Sequence, residues 1–210
     1  MLSDTNEVGF DGTNPSLRDI DVVVHLNGTT YNEEMTHAGQ RALEKFVRDG
    51  GGYIHHEWNA YEINEGRMQS MRNLCLFDRK SGYGPGPITI TKLDVARGGH
   101  PVVWEVPAVF QMNGSSNIGH IHKFDEEPSQ VLARDQSGND AIAIREYGLG
   151  RVVGFHHGGN WIGAPTIFDS GDARRLFVDG VRWAYGCDPK FREGRREKMC
   201  AEISARRAKL

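Results

Sequence analysis

The sequence is poor in cysteine and has no long apolar run. Its three cysteines, Cys75, Cys187 and Cys200, lie far apart and form no CxxC pair. Neither a disulfide framework nor a cysteine-based zinc site is therefore expected, and we predict a reduced, cytoplasmic setting. No apolar run reaches the roughly 18 residues of a membrane-spanning helix. Residues 1–7 also lack the basic and apolar regions of a signal peptide.

Motifs for nucleotide binding are missing as well. Neither a GxGxxG fingerprint nor a P-loop occurs, so no nucleotide cofactor is expected. The 210 residues are 38% hydrophobic and 25% charged, which excludes a disordered chain and fits one globular domain.

Charge is unevenly distributed along the chain. The formal net charge is −3, yet residues 190–210 hold eight basic and only three acidic side chains. A basic tail can bind nucleic acid. This tail mixes both signs and has no aromatic platform for bases, so nucleic acid is not an expected partner. We predict a basic helical tail over residues 188–210 that packs on the domain through Phe191, Met199 and Ile203.

Glycine and histidine are abundant in this chain. There are 26 glycines, nearly twice the usual share of roughly 7%. Six of the nine histidines fall in three short clusters, namely His55 with His56, His120 with His122, and His156 with His157.

The first part of the chain predicts a βαβ unit. Residues 20–26 are apolar and rich in β-branched side chains, as in a strand buried on both faces. Asn32 is a candidate N-cap for a helix that ends at glycines 50–52. A second strand over residues 53–56 completes the unit. Farther along, patterns predict a helix over 62–77, a β-hairpin over 141–147 and 151–155, and a core-facing helix over 172–185.

Three segments, taken in order, resemble the ThuA-like (trehalose-utilisation) family. They are DVVV with ALEKFV and GGG (residues 21–52), HPVVWEVP (100–107), and GRVVGF with GNW, RRL and WAYG (150–186). The family belongs to the class I glutamine-amidotransferase-like superfamily. The resemblance covers roughly residues 19–187.

The resemblance implies an α/β fold. We expect a flavodoxin-like three-layer sandwich with a mostly parallel central sheet, plus a C-terminal β-hairpin and helix. This ThuA-like domain spans residues 1–187. Its first βα unit is missing or displaced, because only about 19 residues precede the DVVV strand.

The related amidotransferases imply where a catalytic residue would stand. They carry a nucleophilic cysteine directly after the strand that follows the GGG turn. No cysteine lies near residues 55–58 here, so cysteine-dependent glutaminase chemistry is not expected. Glu57 occupies the equivalent turn, and a carboxylate beside histidines suits general acid–base chemistry.

The histidine clusters follow predicted strands, where open parallel sheets bind ligands. Adjacent histidines in a strand face opposite sides, so only one of each pair can face a given cleft. We choose the histidines nearer the carboxyl ends. The candidate catalytic residues are His56, Glu57, His120 and His157.

A carbohydrate or polyol is the expected small-molecule substrate, with hydrolysis or isomerisation as the reaction. Amides and flat aromatic faces suit sugar rings, whose rims carry hydroxyls. The candidate substrate-binding residues are Asn27, Trp58, His122, Asn160 and Trp161.

Other interpretations remain open. One is a non-catalytic sugar-binding or assembly module of the same fold. Another is a divalent metal bound through His120 and His122, whose spacing places both on one side of a strand. The other metal ligands are unknown, and no cofactor is firmly predicted. A homodimer is a further expectation, because a short N-terminus exposes a sheet edge that a second subunit would cover.

Overall fold

A computed structural model describes residues 4–26, 28–79, 87–93, 99–112, 115–116, 118–122, 128–158 and 170–186. The predicted tail over 188–210 lies outside these residues. The described α-helices are α1 (His37–Arg48), α2 (Glu57–Asn64) and α3 (Gly171–Tyr185). The described strands are β1 (Val22–His25), β2 (Gly52–His55), β3 (Phe77–Arg79), β4 (Ile88–Lys92), β5 (Val109–Met112), β6 (Ser115–Ser116), β7 (Ile118–Ile121), β8 (Gln130–Asp135), β9 (Asp140–Tyr147), β10 (Gly150–Phe155) and β11 (His157–Gly158).

Seven strands form the main sheet in the order β1-β2-β10-β9-β8-β4-β5. Strands β1, β2 and β10 run parallel to one another. The remaining neighbours pair antiparallel. The α/β class is confirmed, but the expected mostly parallel sheet is not. The two-residue turn between β9 and β10 forces antiparallel pairing, since parallel neighbours need a long crossover.

The helices cover both faces of the sheet. In β2, Tyr53 packs in a core cluster with residues of α1 and α2, whereas Ile54 packs in a second cluster with residues of α3. Successive side chains of a strand point to opposite faces, so β2 is buried on both sides. Among the described residues, no helix is long and apolar enough to cross a membrane.

Two predicted helix boundaries are wrong. Helix α1 begins at His37 rather than near Asn32, because the Thr36 side chain accepts the Gly39 N–H at 3.0 Å and caps the helix there. The helix predicted over 62–77 is instead the end of α2 followed by a 3-10 segment, Gln69–Leu74, and by β3. Met68 separates the two with a left-handed backbone (φ 54°).

The C-terminal hairpin and helix are confirmed. Strands β9 and β10 pair from Gly150 with Tyr147 to Phe155 with Ile142. Helix α3 is capped at its start by Ser170 and ends at Gly186, whose φ of 87° suits glycine.

His55 is a core residue on the α1 and α2 side of the sheet. Its Nε2 accepts the Leu76 N–H at 3.0 Å, so Nδ1 carries the hydrogen and faces the His56 carbonyl at 3.4 Å. Burial lowers the pKa of His55 to about 3, although the His56 carbonyl opposes that shift. A Cβ on Gly154 would lie 2.6 Å from His55 Nε2, which leaves glycine as the residue that fits beside the ring.

We predict that His55 makes the protein acid-sensitive. Its folded pKa of about 3 lies below the ordinary 6.5, so the unfolded chain binds one more proton as the pH falls from 6.5 toward 3. Stability is therefore lost on acidification, by up to about 1.4 kcal/mol per pH unit from this group. Denaturant unfolding should show a shallower pH slope for His55→Gln. The control His37→Gln, at the exposed start of α1, should keep the wild-type slope, and an unchanged slope in His55→Gln contradicts the assignment.

Candidate functional site

The carboxyl end of β2 turns directly into α2. His56 is the N-cap residue of α2 and Glu57 is its first residue. The His56 N–H donates to Asn59 Oδ1 at 3.0 Å. The His56 ring lies 5.5 Å from the Phe155 ring and 6.4 Å from the Phe177 ring, on the α3 side of the sheet. His55 and His56 therefore face opposite sides, as strand alternation predicts.

Glu57 is a buried carboxylate at this turn. Only 2% of its surface is exposed, and Oε1 accepts the Arg79 Nε–H at 2.6 Å. Burial raises the pKa of the Glu57 carboxyl above its ordinary value, and the Arg79 guanidinium opposes part of that rise. A carboxyl group whose pKa is moved toward neutrality is suited to holding and releasing a proton.

Arg79 was not found from the sequence, because its segment gave no clear strand pattern. It ends β3, which pairs antiparallel with β7 in a separate two-stranded sheet. The guanidinium also lies 4.6 Å from the centre of the Tyr61 ring, within cation–π range. Arg79 thus joins this small sheet to α2.

The two histidines of the second cluster pair with different carboxylates. His120 is exposed, and its Nδ1 lies 3.4 Å from Asp140 Oδ2. His122 Nδ1 lies 2.7 Å from Asp78 Oδ1. Burial lowers the pKa of His122, and Asp78 opposes this shift. Glu57 pairs with Arg79, and no hydrogen bond or ion pair among the described residues joins His120 to Glu57.

The third cluster approaches α2 through its backbone. Strand β11, which contains His157, lies against α2 and pairs with β6. The side chain of His157 is outside what the structure describes. Its neighbour His156 is fully buried, with Nε2 3.6 Å from Asp135 Oδ2. Burial lowers the pKa of His156, while Asp135 opposes the shift.

Of the predicted substrate-binding residues, Trp58 and His122 are described, whereas Asn27, Asn160 and Trp161 lie outside the described ranges. Trp58 is 5% exposed and packs against the rings of Tyr31 and Tyr61, at 4.8 and 5.9 Å, and these two rings also contact each other at 5.6 Å. It supports these two tyrosines, which are partly exposed and offer aromatic surface near Glu57 and Arg79.

A network of buried polar side chains stabilises the turn from β2 into α2. His25, at the end of β1, places Nε2 2.6 Å from Glu7 Oε1 and Nδ1 2.5 Å from the Tyr53 hydroxyl. The carboxylate accepts the Nε2 hydrogen, so Nδ1 is an acceptor. Asn59 Nδ2 also approaches Nδ1, at 3.0 Å. Since Asn59 Oδ1 holds the His56 N–H, the network fixes the first turn of α2. The only sequence indication was a histidine at the end of an apolar strand.

Within the described residues, no group of three histidine, cysteine, aspartate or glutamate side chains is placed to hold a metal ion. The described centre is instead the Glu57 carboxyl group and the Arg79 guanidinium beside the turn from β2 into α2, while the His56 ring packs against Phe155. Such groups can move a proton and stabilise negative charge in a bound substrate.

Comparisons with known proteins identify solved structures that have a similar fold. No protein-family model matches the sequence. No curated protein matches it either. Among solved structures, a ThuA-like protein from Parabacteroides merdae is 14% identical with a TM-score of 0.62, over 93% of this chain and 81% of that chain.

Two further solved structures are similar. A ThuA-like protein from Bacteroides uniformis is 18% identical with a TM-score of 0.57, over 84% of this chain and 74% of that chain. A cytoplasmic protein from Salmonella typhimurium LT2 is 16% identical with a TM-score of 0.61, over 85% of this chain and 77% of that chain. At these identities the likeness concerns three-dimensional structure, and the chain has the fold of the ThuA-like proteins.

Proposed function

We propose that this chain is a ThuA-like enzyme of the class I glutamine-amidotransferase-like superfamily that acts on a carbohydrate or polyol. The reaction is hydrolysis or isomerisation by acid–base chemistry. The observation that carries the proposal is the buried carboxyl group of Glu57 at the carboxyl end of a parallel strand, held by Arg79 at 2.6 Å. Ligands of open α/β sheets bind beyond these strand ends.

Glu57 is the proton carrier in this proposal. Burial raises the pKa of its carboxyl group, so the group is protonated more readily than an exposed glutamate and can donate a proton to a leaving or carbonyl oxygen. Arg79 orients the carboxyl group and stabilises it once the proton has left. His157 is assigned as the second acid–base group, because its strand lies against α2.

Substrate binding is assigned to the surface around Tyr31 and Tyr61. Aromatic faces accept the apolar side of a sugar ring, and Arg79, beside Tyr61, offers donors to hydroxyls. Asn27, Asn160 and Trp161 remain predicted contacts. A cytoplasmic location also belongs to the proposal, since it fits a chain with three scattered cysteines and the name of the Salmonella neighbour.

A non-catalytic sugar-binding module is the second candidate. Glu57 is 2% exposed and ion-paired, which also suits a purely structural role. A metal site through His120 and His122 has less support, because each histidine already faces its own carboxylate.

Replacement of the carboxyl group separates the two candidates. With a panel of sugars, polyols and keto sugars, Glu57→Gln should reduce turnover by about 10²–10⁴-fold, the usual contribution of a general acid or base. Glu65→Gln, at the exposed end of α2, is the matched control and should retain full activity. Sugar binding without turnover, equal in wild type and Glu57→Gln, supports the binding module. No turnover by the wild type on any compound contradicts the enzyme proposal.

Asn59 is expected to act as a positioning residue. Asn59→Ala removes the hydrogen bonds to His56 and His25, so it should cost about 1–3 kcal/mol in the free energy of unfolding. It should also lower kcat with little change in KM, because the acid–base turn loses its support while the aromatic surface stays. Asn64→Ala, at the exposed end of α2, is the control for both measurements. A change in KM alone would show that Asn59 serves binding instead.

A further inference from the structure

A cavity of about 600 Å³ runs along the open edge of β1. Strand β1 pairs with β2 on one side, and among the described residues no strand pairs with its other side. The sequence predicts this strand to be buried on both faces, yet Val22, Val23 and Val24 are only partly buried. An apolar strand edge that faces a cavity is a surface that proteins usually cover.

Apolar side chains line the cavity on both faces of the sheet, and polar residues such as Thr5, Asn6 and Thr30 also line it. Met35 and Leu43 form the α1 side, and Val181 and Tyr185 form the α3 side. Among the described residues that line the cavity, the charged ones are the acidic Asp4, Glu7 and Asp21, and none is a lysine or arginine. Glu7 is already bonded to His25, which leaves Asp4 and Asp21 as the acidic side chains that a basic cover would complement.

We propose that the C-terminal segment, residues 187–210, docks on this edge as the missing cover. Val181 and Tyr185 lie in the last two turns of α3, and the chain leaves α3 at Gly186 beside the cavity they line. The segment therefore starts at the surface that it has to cover.

The composition of the segment fits that surface. Its apolar residues Phe191, Met199 and Ile203 are spaced eight and four apart, so a helix would present them on one side. Its eight basic residues outnumber its four acidic ones and complement the acidic lining. A helix of about 20 residues is roughly 30 Å long, whereas the four residues of β1 span roughly 13 Å. The segment can thus reach along the whole edge.

A spin label tests this docking in the full-length protein. Cys200 carries the label in a Cys187→Ser background, and the buried Cys75 is inaccessible to the reagent. Methyl signals of Val22, Val23 and Val24 should lose most of their intensity. Those of Ile88, across the sheet on β4, should remain unchanged.

Two further samples keep the result unambiguous. The same label in a chain with Phe191→Ser, Met199→Ser and Ile203→Ser should restore the valine signals. In the second sample, spin-labelled protein without isotopes is mixed with isotope-labelled protein without a spin label. Signal loss in this mixture reports contacts between copies. The proposal is overturned if the valine signals keep their intensity in the original spin-labelled sample, or if they also lose it in the mixture, which would assign the edge to a second copy.

Discussion

The ion pair between Glu57 and Arg79 is the contact on which the candidate site depends. It joins the parallel half of the main sheet, through α2, to the small sheet of β3 and β7. A carboxylate this deeply buried loses the stabilisation of water, and a single guanidinium restores only part of it. The same imbalance that raises the pKa of Glu57 makes the group useful for proton transfer.

A second set of buried contacts ties the N-terminal segment to the same turn. The Glu7 carboxylate accepts the Nε2 hydrogen of His25, and His25 Nδ1 accepts from Asn59 Nδ2. Asn59 Oδ1 in turn accepts the His56 N–H. Each group in this series of hydrogen bonds is buried, so the loss of one partner leaves the others unsatisfied. The beginning of the chain thereby supports the strand-to-helix turn at Glu57, although the two are far apart in sequence.

Local patterns predicted much of the fold and less of the site. The βαβ start, the hairpin of β9 and β10 and helix α3 follow from periodicity and glycine stops. The pairings of β4 with β5 and with β8 join strands that lie apart in the sequence, which periodicity does not encode. Glu57 and His56 were found because they follow a recognisable strand. Arg79 was missed because its partner is 22 residues away, and the burial of Trp58 depends on Tyr31, which no local pattern connects to it.

Burial keeps the Glu57 carboxyl group easier to protonate than an exposed glutamate. A ¹³C titration of its side-chain carboxyl carbon tests this directly. The midpoint should lie above the ordinary pKa of 4.5, and Arg79→Leu should raise it further, since the guanidinium opposes the effect of burial. A midpoint at or below 4.5 in the wild type would show that burial does not control this group.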